Sequence, residues 1–168
     1  MKFILKTIIY LLVITPTSLF AQDEILTGEI SKSDLMQEPY SSWYAQSENS
    51  YQVDMETVAD IETLLKDIDV TIVMGTWCHD SKREIPRLYK ILEAAGSDLN
   101  RVRMIAVDRT KTAPGTDVDQ LSITNTPTII FTKHGAEMNR IVETPVSSLE
   151  LDMKNILSAK PYKHSKMN

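Results

Sequence analysis

The chain has 168 residues, a formal net charge of −5 and a single cysteine. That length suits one domain with extensions. The acidic balance excludes a general basic surface for nucleic acid, and one cysteine excludes any disulfide within the chain.

Lys2 and Lys6 flank an apolar run over 8–14, and Thr15-Pro16-Thr17-Ser18-Leu19-Phe20 lead from there to Ala21, with Leu19 in place of the usual small residue three positions before the cut. This pattern predicts a secretory signal peptide over 1–21, cleaved after Ala21. The apolar run is short for a bilayer span, so no stable membrane anchor is expected once the leader is gone. Loss of Lys2 and Lys6 takes the charge from −5 to −7. The expected location is outside the cytoplasm, periplasmic or secreted.

Residues 22–50 form a polar, mixed N-terminal extension. Ser31 ahead of Lys32-Ser33-Asp34-Leu35 suits the cap of a short helix. Tyr40, Trp43 and Tyr44 are expected to fold back on the domain as packing. The domain itself is expected over 51–159. Apolar residues at 55, 58, 61, 64 and 65 trace one helical face. The β-branched run at 70–74 predicts a buried strand. A helix from about 79 to 95 turns Ile85, Leu88, Ile91, Leu92 and Ala95 inward and stops at Gly96. Residues 101–107 read as the next strand, and 108–119 as a loop through Pro114-Gly115. Strands at 128–132 and 137–143 flank a turn and predict a hairpin. Ser147 or Ser148 caps a last helix that buries Leu149, Met153, Ile156 and Leu157. Residues 160–168 read as a basic, frayed tail. The order β-α-β, then hairpin, then helix predicts an α/β domain with a central mixed sheet covered by helices on both faces.

The chemistry concentrates where the 70–74 strand meets the next helix. Gly75-Thr76 lets the chain leave the sheet, and Cys78 falls at the helix start. Helix-terminal N–H groups there favour the thiolate, the reactive form of cysteine. His79, Lys82 and Arg83 add positive potential, and Asp80 and Glu84 oppose it. Pro86 kinks the helix two turns on.

Trp77-Cys78-His79-Asp80-Ser81 with Pro86 resembles the active-site turn of the thioredoxin superfamily, where Trp-Cys-x-x-Cys precedes a helix-kinking proline. Thr126-Pro127-Thr128 before Ile129-Ile130-Phe131 is similar to that family's cis-proline loop and following strand. Cys78 and Pro127 lie 49 residues apart, a separation like the family's. The resemblance covers about 53–158 and implies a thioredoxin-like fold, of the kind found in exported bacterial proteins with a single-cysteine Cys-x-x-Ser site. It also implies that the Thr126–Pro127 bond is cis and faces Cys78, with the Thr126 backbone offered to an extended substrate segment. Trp77 and His79 would border that site, and Trp77 would shield one side of the thiol.

The departure from the family pattern is Ser81 in place of the second cysteine. A two-cysteine site reduces a disulfide by attack and then by internal resolution. Serine cannot take the second step, although it can donate a hydrogen bond to a Cys78 thiolate. Family members commonly carry a buried aspartate six residues before the first cysteine, where this chain has Ile72. Both missing parts serve resolution. The expected function is therefore monothiol thiol-disulfide exchange, with Cys78 forming a mixed disulfide with a client protein or small thiol and an external thiol releasing it, giving reduction or isomerisation. The alternative is a non-catalytic binding module that uses the Thr126–Pro127 groove. A thiol peroxidase, with Cys78 oxidised to sulfenic acid, ranks third. A homodimer linked through Cys78 is a further expectation for a lone thiol in an oxidising compartment. No cofactor is expected, and no metal, because Cys78, His79 and Asp80 are adjacent and no second cluster supplies four converging ligands. His79 is badly placed as a hydrolase base for its own neighbour.

Overall fold

The computed structural model describes residues 24–167. The leader predicted over 1–21 lies outside the described residues. The elements are β1 (Gly28–Ile30), α1 (Lys32–Leu35), α2 (Ser41–Ser50), α3 (Met55–Glu62), β2 (Ile68–Met74), α4 (His79–Ala94), β3 (Val102–Ala106), β4 (Thr128–Lys133), β5 (Ala136–Val142) and α5 (Leu149–Leu157). Two 3-10 turns, Leu99–Arg101 and Val118–Leu121, lead into β3 and toward β4.

The five strands form one mixed sheet in the order β1-β3-β2-β4-β5. β2 and β3 are parallel, with Ile72 opposite Met104, and α4 is their crossover. β4 runs antiparallel to β2, and β5 to β4. The β4–β5 turn places His134 and Gly135 at positive φ, the backbone that a tight hairpin requires. This is the α/β arrangement of a thioredoxin-like fold.

Strand alternation divides the interior in two. Val70, Ile72 and Met74 share one core with Met104, Ala106, Ile129 and Phe131, and α2, α3, α4 and α5 all contribute to it. Val73, Ile105 and Val107 point the other way and pack with Ala113 and Val118. Helical segments thus cover both faces unequally. All the long helices lie on one face, and a loop with a single 3-10 turn covers the other. That is why 70–74 reads as a continuous apolar run rather than an alternating one.

The helix ends follow local chemistry. Asp54 caps α3 by accepting from the Glu56 and Thr57 N–H groups, and Ser148 caps α5 by accepting from Leu151. Past α4, Gly96 adopts a φ of +62° while Ser97 N–H closes back on the Leu92 carbonyl at 2.9 Å.

Two regions differ from expectation. The extension contributes the edge strand β1, paired antiparallel to β3, and the ten-residue helix α2. Leu35, Tyr40 and Tyr44 from this region are buried in the main core. Sequence periodicity showed no helix at 41–50 because its only fully buried residue is Tyr44. The C-terminal stretch is docked, not frayed. Tyr162 donates to Asp152 at 2.8 Å, Asn139 donates to the Tyr162 carbonyl, and Lys166 pairs with Glu143.

Candidate functional site

The site begins where β2 ends at Met74. Cys78 N–H closes a turn onto the Gly75 carbonyl at 2.9 Å. The Trp77 indole lies against Gly75 so closely that a Cβ there would stand 2.6 Å from ring atoms. Glycine is therefore required by approach, not only by flexibility. Trp77 Nε1 donates to the Val107 carbonyl at 2.9 Å, and the Arg109 guanidinium sits 5.2 Å from the ring centroid. Asp108, between those two residues, accepts from the N–H and hydroxyl groups of both Thr110 and Thr112. The Thr110 hydroxyl leads these bonds in holding its carboxyl down to about 2.

Cys78 is the N-cap of α4, with extended backbone, and is half-buried. Ser, Thr, Asp or Asn at an N-cap usually turns its oxygen onto the first helical N–H groups. The Cys78 sulfur makes no such bond. Instead Sγ donates to the Thr126 carbonyl at 3.1 Å. The Thr126–Pro127 bond is cis. The loop that presents this carbonyl is held on its far side. Asn125 donates to Glu143 at 2.7 Å, and Glu143 N–H donates to the Pro127 carbonyl at 2.8 Å. The Lys166 ammonium, then Asn125, favour the Glu143 carboxylate and hold its pKa below the usual range.

The structure thus brings Trp77, Cys78, Thr126 and Pro127 together. Ser81 lies one turn into α4 and is fully buried, with its oxygen accepting the Gly75 N–H at 3.2 Å. Where a second thiol would stand, a hydroxyl therefore ties the helix back to the end of β2. Ile72 is equally buried, in the apolar core.

His79 points to a different feature. It lines a cavity of about 310 Å³ between α2 and α4, with Trp43 and Ser47 on one wall and Lys82, Arg83 and Arg87 on the other. Ser47 donates to the Arg83 carbonyl at 2.7 Å, in the turn that Pro86 disturbs by lacking an N–H. This wall was invisible in the sequence, because the α2 partner face was not predicted. The spacing of 79, 82, 83 and 87 on one helical face was the available signal. Arg109 and the Val107 carbonyl were likewise missed, since nothing local ties them to Trp77. Among the described residues, no three His, Cys, Asp or Glu side chains group as a metal site.

No protein-family model matches the chain, and no curated protein does. Among solved structures, it is similar to the oxidised form of mitochondrial thioredoxin 3 from Saccharomyces cerevisiae. The identity is 25%, over 51% of this chain and 76% of that one, with a TM-score of 0.34.

Proposed function

We propose that the chain is a thioredoxin-like monothiol oxidoreductase of an exported compartment, with residues 1–21 removed as a leader. The observation that carries this reading is the half-buried Cys78 at the start of α4, its sulfur 3.1 Å from the Thr126 carbonyl of the cis-proline loop. In the first step the Cys78 thiolate attacks one sulfur of a substrate disulfide. A Cys78–substrate S–S bond forms as the substrate S–S bond breaks, and the other substrate sulfur leaves as a thiolate. An external thiolate then attacks the substrate sulfur of that mixed disulfide. It leaves bonded to the substrate, and Cys78 departs as a thiolate. Ser81 takes no part in the electron transfer; its oxygen accepts the Gly75 N–H, and its hydroxyl can donate a hydrogen bond. During the first step an extended substrate segment would pair with the Thr126 backbone, displacing the contact that Cys78 now makes there. Trp77 and His79 would flank that segment.

The test is turnover of a mixed-disulfide substrate with excess small thiol. The wild-type protein is expected to accelerate exchange, and Cys78→Ser to fall to the uncatalysed rate. Equal rates would leave the second reading, a binding module with Cys78 as a covalent latch. The joint loss of a resolving thiol and of an acid at Ile72 is the observation that favours it. A homodimer bridged through Cys78 would block either activity and would show as a band that reductant removes.

A further inference from the structure

The cavity between α2 and α4 carries chemistry that thiol exchange does not use. Two of its lining residues each carry a buried donor without a partner among the described residues, Trp43 Nε1 and Arg87 Nε. Buried donors call for an acceptor. Arg87 stacks 5.0 Å from the Tyr51 ring centroid, and its approach to Glu84 is a loose 3.9 Å. The Lys82 ammonium stands 5.7 Å from the Trp43 ring centroid. Among the described residues of this face, Glu84 pairs with Arg83 at 2.6 Å and Asp80 pairs with Arg83 at 2.8 Å. Lys82, Arg83 and Arg87 outnumber Asp80 and Glu84 on this wall, so on a chain of net charge −5 the groove is locally cationic. It starts at His79, the residue after Cys78.

From this we infer that the α2–α4 groove is a docking subsite for an acidic segment of the polypeptide that exchanges with Cys78. The inference rests on the exchange reading for its context but not for its geometry. Carboxylates accept from planar N–H donors and guanidinium groups with charge assistance. From His79 to Arg87 is eight residues of helix, or about 12 Å. That spans three or four residues of extended chain, so the groove suits a peptide rather than one small ion.

The test uses the full chain carrying Cys78→Ser, so that binding is read without thiol chemistry. Two peptides with a central serine are titrated at low salt, one flanked by Asp and Glu, the other by Asn and Gln. The acidic peptide is expected to bind at least about tenfold more tightly. Arg87→Gln is expected to erase that preference and leave the neutral peptide unchanged. Trp43→Phe, which keeps a ring and removes one donor, is expected to reduce it. Equal binding of the two peptides, or a preference that survives both substitutions, would overturn the assignment. So would free glutamate displacing the acidic peptide at equal concentration. If acidic peptides bind yet wild-type protein catalyses no exchange, the docking site stands and the exchange reading fails.

Discussion

Trp77 shows how one side chain is fixed by contacts distant in sequence. Gly75 beneath it, the Val107 carbonyl at its nitrogen and Arg109 at its ring come from just past the C-terminal ends of β2 and β3. Gly75→Ala is expected to push the indole out of place and to cost roughly 1–3 kcal/mol, read by urea unfolding and by tryptophan fluorescence. A double variant with Trp77→Ala should recover part of that loss. Asp108 gives the loop a pH signature. Its carboxyl is depressed from 3.8 to about 2 by bonds from Thr110 and Thr112. A depressed acid contributes fully above its unfolded value, and that contribution is lost as pH falls from about 4 toward 2. Thr110→Val removes the leading cause, so an NMR titration should find the Asp108 midpoint moved back up toward 3.8. Tyr44 offers the reverse case. Its ring is 2% exposed and its hydroxyl has no partner among the described residues. Tyr44→Phe is therefore expected to leave stability unchanged or to raise it by up to about 1 kcal/mol, as measured by thermal unfolding.

At the scale of elements, the helical face of the sheet is held by buried polar joints as well as apolar packing. Glu150, in the first turn of α5, is 1% exposed and accepts from the Tyr51 hydroxyl on both oxygens and from Asp54 N–H. It ties the start of α5 to the chain entering α3. Tyr51→Phe removes the main donor to a buried carboxylate and is expected to cost about 1–3 kcal/mol, seen as a lower urea midpoint. Asp152, two positions further along the same helix, does the same for the tail. It accepts from Val146, Ser147 and Tyr162. The elements that periodicity located, α3, α4, α5 and the strands β2 to β5, are those with a regular apolar stripe of their own. β1 and α2 have none: β1 is three residues long, and α2 buries mainly aromatic residues near one end. Only the presence of β3 and α4 as partners makes them fold.

For the whole molecule, the extension and the tail enclose the domain from two sides. Leu35, Tyr40 and Tyr44 complete the core over α4, and residues 162–166 bind along β5 and at Glu143. Removing 161–168 is expected to lower stability by more than Tyr162→Phe alone, because Glu143 loses Lys166 as well. Differential scanning calorimetry of the two variants checks the order. Much of the site was readable before any coordinates. The strand-to-helix turn at Cys78 and the proline inside the following helix were local signals, because a few neighbouring residues dictate that backbone geometry, whereas the cis Thr126–Pro127 bond was implied only by the family resemblance. The sequence alone determined that a lone cysteine would stand at a strand-to-helix junction, and that no second thiol could resolve what it binds. The tertiary structure decided what holds Trp77 and what lies beside the start of α4. The Val107 and Arg109 clamp on Trp77 and the groove against α2 join segments that are far apart in the chain. Which polar groups meet across such distances depends on the packing of the intervening core, and one-dimensional periodicity carries no record of that.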